Sequence, residues 1–193
     1  MFNWLFSPLE PIPCPYCLHS MERGKLPKCS HCSQTVTETY LEFIKQARLV
    51  SVPIIGLSQV GKTTFIQAVT LVLSEIARNP GLPNAGFRAC NDVTMKWYQD
   101  IRDRAARGVP TVPTVQLQER DVYLFKASDI PWWGSRTLAL RDVAGESLRH
   151  YQFPNEQAEF CKQTKCALIA ISLPDLESRK GEFIDQMLGS YVY

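Results

Sequence analysis

The sequence lacks a charge excess of either sign and has no long apolar run. Its 193 residues include 21 Lys and Arg against 19 Asp and Glu, which gives a formal net charge of +2. A nucleic-acid coat or a polybasic membrane binder needs a much larger positive excess, so the composition disfavours both classes. Hydrophobic residues make up 45% of the chain, and this content excludes a chain that is disordered throughout.

The sequence also contains no segment typical of membrane insertion or export. The longest apolar stretch, 166–171, is far below the roughly 20 residues that cross a bilayer. The amino-terminal stretch is apolar, but it has no basic region and is interrupted by Pro8, unlike a secretory signal. We therefore expect a cytoplasmic protein.

Cysteine is concentrated near the amino terminus. Four of the seven cysteines form two C-x2-C pairs, namely Cys14 with Cys17 and Cys29 with Cys32. In each pair a tight turn aims two thiolates at one tetrahedral metal, and two pairs complete a four-sulfur zinc site. Two disulfides are disfavoured in the cytosol, and a redox dithiol would explain one pair only. The spacing predicts a structural Zn²⁺ in a small ribbon at residues 1–38.

Two histidines, His19 and His31, lie next to these pairs and are alternative ligands. Because four cysteines already complete the metal's shell, we expect both histidines at the surface. The ribbon segment has a balanced charge, and zinc-bound thiolates add negative charge, so a structural or protein-docking role is favoured over nucleic-acid binding. We expect the three remaining cysteines to be buried apolar groups: Cys90, Cys161 and Cys166.

A glycine-rich loop follows, with a strand-like run before it and a helical pattern after it. The apolar run 49–55 leads into a loop that meets every fixed position of G-x-x-x-x-G-K-[ST], at Gly56, Gly61, Lys62 and Thr63. Apolar residues at 65, 66, 69, 72, 73 and 76 form a helical stripe that ends at 79–81. Strand, loop and helix in this order predict a nucleotide-phosphate site.

The chemistry of such a loop assigns a role to each residue. Its backbone N–H groups and the amino end of the following helix bind phosphate. We expect Lys62 to reach the β- and γ-phosphates, Thr63 to offer its hydroxyl to Mg²⁺ and Thr64 to contact the α-phosphate. The expected nucleotide-binding residues of the loop are Gly56, Ser58, Gln59, Val60, Gly61, Lys62, Thr63 and Thr64.

A second acidic motif, D-x-x-G, ends the strand-like run 137–142, with Asp142 and Gly145 at its fixed positions. P-loop enzymes hold Mg²⁺ with the help of a carboxylate on a neighbouring strand. We expect Asp142 to orient Mg²⁺ and the Gly145 N–H to sense the γ-phosphate.

Together, the GKT loop and D-x-x-G at a strand end resemble the translation-factor-related class of P-loop GTPases. The run from Asp142 to Glu146, behind an amino-terminal cysteine knuckle, is most similar to bacterial double-GTPase domains of the second type, over roughly residues 47–175. The resemblance implies GTP as the ligand, its hydrolysis or sensing, and a place in multi-component bacterial conflict or signalling systems.

The segment between the motifs contains a predicted helix at 91–107 and the expected switch. Thr114 matches the family's switch threonine, which closes over Mg²⁺, better than Thr111; a plain surface loop is the alternative. Glu146 stands where many GTPases have a water-orienting glutamine, so Lys62, Thr114 and Glu146 are the candidate catalytic residues. A glutamate near the γ-phosphate needs a compensating cation, and the candidates are Arg107, Arg120 and Arg149.

The guanine-reading motif N-K-x-D is missing. The last strand-like run, 166–172, is followed by too few residues for the helix and strand that would carry this motif. We expect one of three explanations for the missing motif: the chain is a fragment, a partner completes the sheet, or the contacts to the base come from elsewhere. The preference for GTP over ATP therefore follows from the resemblance.

The predicted fold is an α/β P-loop NTPase, a three-layer sandwich over 39–193, incomplete at its carboxyl end and preceded by the zinc ribbon. The predicted function is a Mg²⁺-dependent GTPase switch with protein partners. The alternative is a catalytically silent nucleotide-binding scaffold whose zinc ribbon docks a protein partner. A third class, an ATP-using phosphotransferase or a nucleic-acid motor, is disfavoured. We expect Trp132 and Trp133 to pack over the sheet edge, with a partner surface as the alternative.

Overall fold

A computed structural model describes residues 11–22, 27–56, 60–109, 122–143 and 160–171. The helices and strands follow one another as β1 (Ile12–Pro13), β2 (Ser20–Met21), α1 (Glu38–Ile44), β3 (Arg48–Gly56), α2 (Lys62–Ile76), β4 (Gly86–Ala89), α3 (Asp92–Ala106), β5 (Val122–Ile130), β6 (Gly134–Asp142) and β7 (Leu168–Ala170). Residues 160–163 add a helical turn before β7. None of the helices in these described ranges has the length and apolar content that a membrane span needs.

The central sheet has five strands in the order β4-β5-β6-β3-β7. The apolar strand β3 lies between β6 and β7 and runs parallel to both, whereas β5 is antiparallel to β4 and β6. Parallel neighbours end at the same edge of a sheet, so the segments that follow β3 and β6 start side by side. The prediction of an α/β fold is confirmed as a mixed α/β fold with a mixed sheet.

Helices α2 and α3 pack on one face of the sheet. Alternate residues of β5 and β6, including Tyr123, Phe125 and Leu138, point into this interface and are buried. Trp97 of α3 stacks on Tyr123 with ring centroids 4.0 Å apart, and Phe87 stacks on Phe125 at 4.7 Å. The first pair anchors α3 to the sheet, and the second joins the neighbouring strands β4 and β5.

The opposite face of the sheet is covered by α1 and by the cysteine-rich segment, which we call the cysteine module (the described parts of 11–36). One buried cluster joins module and sheet through Ile12, Cys14, Cys17, Met21, Cys29, Val36, Tyr40, Ile44, Cys90, Val122, Leu124, Ala139 and Phe160. The Tyr40 hydroxyl donates to the Pro13 carbonyl at 2.6 Å, and the Thr37 hydroxyl donates to the Cys90 carbonyl at 2.7 Å. The predicted domain boundary at residue 38 stays a prediction, and the core extends across it.

The helix after the glycine-rich loop is rotated from its predicted orientation. Phe65 and Val72 of the predicted buried stripe are 46% and 58% exposed, so that prediction is wrong for both. The buried side carries Ile66 together with three polar residues, Gln67, Thr70 and Ser74. The reason is the start of the helix, because Thr63 points at Asp142 and the residues 4, 7 and 11 positions later share its face.

Two elements come from tertiary contacts that the sequence pattern did not predict. Helix α1 begins with Thr37 as its N-cap, and β4 pairs with β5 at the edge of the sheet. The predicted helix at 91–107 is confirmed as α3, with Asn91 as its N-cap and Arg107 as its C-cap.

Three predictions about single side chains are wrong. Cys90 is buried as expected, but Cys161, in the helical turn at 160–163, is half-buried, and Cys166, just before the edge strand β7, is exposed. Trp132 is fully exposed, at 105% of its reference area, in the turn between β5 and β6. Trp133, in contrast, packs against the cluster under α2 and α3.

Candidate functional site

The glycine-rich loop and the acidic motif meet at one edge of the sheet. Ile54 of β3 lies opposite Asp142 of β6 in the parallel register, and the Val143 N–H donates to the Ile54 carbonyl at 3.0 Å. Strand β3 ends at Gly56, directly before the loop that enters α2. Two motifs that are distant in the sequence are thus neighbours in space.

A direct hydrogen bond joins the two predicted Mg²⁺ ligands. The Thr63 hydroxyl, in the first turn of α2, donates to Asp142 Oδ2 at 2.5 Å. Hydroxyl and carboxylate oxygens are hard donors of the kind that Mg²⁺ prefers. The donor chemistry therefore fits Mg²⁺.

Burial acts on the charge of Asp142. Loss of solvent raises the pKa of its carboxyl above 3.8, while the Thr63 hydrogen bond and the positive charge of Lys62 act in the opposite direction. The net effect disfavours the ionised form. A dication bound beside this carboxylate would supply the missing stabilisation.

Lys62 is a buried charged residue at the same edge. It is only 7% exposed, and its Nζ donates to the Gly56 carbonyl at 2.8 Å. The ammonium group thus lies across the loop, next to the amino end of α2, where positive partial charge also gathers. This combination suits the binding of a polyphosphate.

The glycines of the loop are needed for different reasons. Gly61 precedes α2 with a φ of +87°, a left-handed conformation that side chains with a Cβ rarely adopt. A Cβ on Gly56 would lie 2.4 Å from the Ala170 carbonyl oxygen of β7, so the close approach of the two strands requires glycine. Val60 is half-buried and Thr64 is exposed at the same end of α2.

Several predicted site residues lie outside the described residues, and their roles stay predictions. They are Ser58, Gln59, Thr114, Gly145 and Glu146, together with the cation candidates Arg120 and Arg149. Arg107 is described and is an exposed residue at the carboxyl end of α3.

The cysteine module brings all four predicted zinc ligands together. The Sγ atoms of Cys14, Cys17, Cys29 and Cys32 all lie within 4.8 Å of one another. The Cys14–Cys32 and Cys17–Cys29 sulfur pairs are each 3.7 Å apart. Three of these cysteines are buried and Cys32 is half-buried. Four sulfurs at this spacing fit a tetrahedral zinc.

The two C-x2-C turns have the same backbone construction. The N–H of Leu18 donates to the Cys14 carbonyl at 2.9 Å, and the N–H of Ser33 donates to the Cys29 carbonyl at 3.0 Å. Leu18 and Ser33 also share a left-handed backbone, with φ values of 63° and 60°. Each turn therefore presents its two sulfurs in the same way.

The pKa values of Cys14, Cys17 and Cys32 are shifted in different directions. A hydrogen bond from Cys14 lowers the pKa of Cys17 to about 4, while the same hydrogen bond and burial raise the pKa of Cys14 above its ordinary value. Burial raises the pKa of Cys32 to about 11. Zinc binding needs thiolates, so loading this site releases protons.

The histidines do not offer a better site. His19 and His31 come close enough to Cys17 to form a second three-residue set, but their rings are stacked, 3.5 Å apart and 12° from parallel. The nitrogen lone pairs lie in two separate, nearly parallel planes and do not converge on one ion. The four-cysteine set is therefore the better candidate, and His31 is exposed as predicted.

Comparison of the chain with protein-family models, with curated proteins and with solved structures gave no match.

Sequence reasoning missed Arg141. This residue is only 2% exposed and lies between β6 and the cysteine module, where its Nη1 donates to the Tyr16 carbonyl at 3.4 Å. Its guanidinium carbon lies 4.9 Å from the centroid of the Phe160 ring. Strand alternation was the available signal, because Arg141 shares a face with Thr137 and Ala139, both completely buried.

We expect Asp142→Asn to raise the thermal stability of the protein at neutral pH. The pKa of Asp142 is raised in the folded state, so its ionisation opposes folding as the pH rises through that pKa. Asparagine removes the charge and keeps an oxygen that can accept from Thr63. Melting temperatures in Mg²⁺-free buffer should differ most at neutral pH and converge as the pH falls toward 3.8.

The matched control for this prediction is Asp103→Asn, on the exposed side of α3, which we expect to leave the melting temperature nearly unchanged. A lower melting temperature for Asp142→Asn than for the parent protein at neutral pH would contradict the argument.

Proposed function

We propose that this chain is a Mg²⁺-dependent switch that binds and hydrolyses GTP and has a P-loop fold. The observation that carries the proposal is the hydrogen bond between Thr63 and Asp142. It joins the GKT loop to the D-x-x-G strand through the two residues that such enzymes use to hold the metal.

The sheet topology supports the same conclusion. Ligands of α/β sheets bind at the carboxyl ends of parallel strands, and here β3 and β6 end beside each other with the amino end of α2 above them. Lys62 lies at this edge with its charge buried. The crevice thus combines a cation, helix N–H groups and two hard oxygen ligands.

Each residue has a defined part in the proposed reaction. Lys62 and the loop N–H groups bind and orient the phosphates, while Thr63 and Asp142 hold Mg²⁺, which neutralises phosphate charge when bound. Thr114 is proposed to close over the γ-phosphate, and Glu146 to orient the attacking water.

Other parts of the proposal follow from the resemblance. The choice of GTP over ATP is one of them, and so is a role with protein partners in a bacterial conflict or signalling system. We place this activity in the cytoplasm.

Phosphate release from GTP and from ATP tests the proposal. With Mg²⁺ present, we expect turnover of GTP that falls by about 10- to 100-fold in Lys62→Ala, because a hydrogen bond to a charged group contributes about 1.5–3 kcal/mol. Lys45→Ala is the matched control, since Lys45 is exposed at the end of α1, and it should behave like the parent protein.

The possible outcomes separate the candidate functions. If neither nucleotide is turned over faster than by Lys62→Ala, hydrolysis is excluded; Lys62-dependent binding of GTP without turnover would then leave the catalytically silent scaffold. A preference for ATP would contradict the GTPase assignment.

We also propose that the four cysteines hold one structural zinc. Its support is the mutual distance of the four sulfurs, within 4.8 Å. Elemental analysis of the purified chain should find about one zinc per molecule, the value that a single four-thiolate site gives.

A further inference from the structure

Access from solvent distinguishes one of the four predicted zinc ligands from the other three. Cys14, Cys17 and Cys29 are at most 1% exposed, whereas Cys32 is half-buried. Zinc binding needs thiolates, and the thiolate is the form of cysteine that attacks an electrophile. Because all four sulfurs of a loaded site have this form, access decides which of them reacts first. Cys32 is the sulfur that a small reagent in the solvent reaches.

The four sulfurs are paired across the two turns of the cysteine module. Cys32 Sγ lies 3.7 Å from Cys14 Sγ, and Cys17 Sγ lies at the same distance from Cys29 Sγ. Each of these pairs takes one sulfur from the first C-x2-C turn and one from the second. The S–S distance of a disulfide is about 2.05 Å, so Cys14 and Cys32 have to approach each other by less than about 2 Å to form one.

The backbone of the two turns favours a bond between them over a bond within one of them. The Leu18 N–H donates to the Cys14 carbonyl and closes the first turn, and the Ser33 N–H donates to the Cys29 carbonyl and closes the second. A disulfide between Cys14 and Cys32 joins the turns and leaves both hydrogen bonds in place. A disulfide between Cys29 and Cys32 would instead constrain the backbone of the second turn.

We propose that Cys32 is a modification site for hydroperoxides, and that its oxidised sulfur forms a disulfide with Cys14, so that the module releases its zinc. This inference rests on the proposed zinc site and does not depend on the proposed nucleotide chemistry.

The first step of the proposed reaction oxidises Cys32. Its thiolate attacks one oxygen of the peroxide, an S–O bond forms and the O–O bond breaks. The leaving oxygen takes a proton from solvent and departs as an alcohol, or as water when the oxidant is hydrogen peroxide. The sulfur loses two electrons and becomes a sulfenic acid, and the peroxide is reduced.

The second step forms the disulfide. The Cys14 thiolate attacks the oxidised sulfur of Cys32, an S–S bond forms and the S–O bond breaks. The hydroxide that leaves takes a second proton from solvent and becomes water. Two thiolates, one hydrogen peroxide and two protons thus give one disulfide and two waters.

The disulfide leaves too few ligands for the metal. A structural zinc site is four-coordinate, and Cys17 and Cys29 are the two thiolates that remain. His19 and His31 do not complete the set, because their rings are stacked and their lone pairs lie in separate planes. We therefore expect the oxidised module to lose its zinc.

Peptide mapping of the zinc-loaded, full-length chain tests which sulfurs react. The chain carries Cys166→Ser, because the exposed Cys166 would otherwise consume oxidant. It is treated with about one equivalent of hydrogen peroxide, enough for one disulfide, and is then alkylated in denaturant and digested. We expect a disulfide between Cys14 and Cys32, with Cys17 and Cys29 alkylated. A first disulfide that excludes Cys32, or that joins it to Cys17 or Cys29, would overturn the proposal.

Zinc release from the same samples tests the consequence. A zinc-selective chromogenic chelator reports the release, which we expect to follow disulfide formation in time. A dithiol reductant with added zinc should restore the metal content, because it returns both cysteines to thiols. A chain that carries the disulfide between Cys14 and Cys32 and still retains its zinc would contradict the proposal.

A variant at Cys32 tests whether this residue starts the reaction. Histidine binds zinc but has no sulfur to oxidise, so we expect Cys32→His to bind zinc and, in peroxide, to release it at least about 10-fold more slowly than the parent chain. The matched control is Cys166→Ser, which removes an exposed thiol outside the module and should release zinc at the parent rate. Equal rates for these two variants would overturn the proposal. If Cys32→His fails to fold, the peptide map decides.

Failure of the zinc site and failure of this inference give different results. Elemental analysis of the untreated chain measures zinc directly, and a chain without zinc refutes the zinc site and this inference with it. A zinc-loaded chain in which Cys32 is not the first cysteine oxidised refutes this inference alone.

Discussion

Replacement of Cys17 by serine is expected to remove the zinc and to unfold the cysteine module. Cys17 is 1% exposed, and its sulfur lies 3.7 Å from that of Cys29, so no solvent ligand can readily take its place. In zinc-finger peptides the metal contributes about 10–16 kcal/mol of apparent binding free energy at neutral pH. A loss on that scale is as large as the total stability of a typical domain.

The effect should extend beyond the module. Its buried residues share one cluster with Val122, Leu124 and Ala139 of the sheet, so an unfolded module would expose the sheet face that it covers. Zinc content and denaturant-induced unfolding measured on the same samples check this expectation. A single four-thiolate site holds one zinc, and we predict that Cys17→Ser retains less than about one tenth of a zinc per chain. We also predict a large fall in the denaturant concentration at the midpoint of unfolding.

Cys166→Ser is the matched control, because Cys166 is exposed. Its Sγ makes a long hydrogen bond to the Ser51 carbonyl at 3.7 Å, and its own carbonyl, which the substitution keeps, accepts from the Thr164 hydroxyl at 2.9 Å. We expect this substitution to change the free energy of unfolding by no more than about 0.5 kcal/mol. Cys17→Ser protein with one bound zinc and the parent midpoint would contradict the zinc assignment.

Gly56→Ala is expected to destabilise the protein by about 3 kcal/mol, at the upper end of what an added methyl group costs in a packed interior. The new Cβ would lie 2.4 Å from the Ala170 carbonyl oxygen and 3.0 Å from Val60 Cγ2. The first of these atoms is backbone, and it belongs to a strand that pairs with Gly56 itself. Either β7 or the start of the glycine-rich loop must therefore move.

A comparison of two glycines makes this prediction specific. Gly86 also lies in a strand, but a Cβ there meets Ser128 Cβ at 3.6 Å, an ordinary contact. Gly86→Ala should therefore be neutral or stabilising, by up to about 1 kcal/mol, because alanine reduces the entropy of the unfolded chain. Chemical denaturation of both variants gives the difference, and similar stabilities would mean that β3 and β7 do not approach as closely as described.

Local motifs in the sequence were sufficient to predict the parts of both candidate sites. The run before Gly56 has the apolar, β-branched character of a buried strand, and the structure confirms it as β3. The C-x2-C spacing predicted four sulfurs around one point, and the fold brings them together. In each case residues close in sequence determine the local geometry, so tertiary context changes little.

Other features could not be read from a local pattern. The rotation of α2 depends on contact between Thr63 and Asp142, residues that are 79 positions apart, and it leaves Phe65 and Val72 exposed against the apolar pattern. Strand β4 is short and acquires its conformation from pairing with β5. Pattern reasoning treats each segment alone and cannot weigh such long-range contacts.

The sequence by itself determined the candidate residues: four cysteines at metal-binding spacing, a loop with the pattern G-x-x-x-x-G-K-[ST] and an acidic strand end. Only the tertiary structure decided how these parts are connected. It placed β3 beside β6, so that Thr63 reaches Asp142, and it packed the cysteine module against the opposite face of the same sheet. The physical reason is that the burial of apolar surface depends on the area removed from water, and it can therefore join residues that are far apart in the sequence. The tertiary structure also buried Arg141 between β6 and the cysteine module, although no local motif marks that residue.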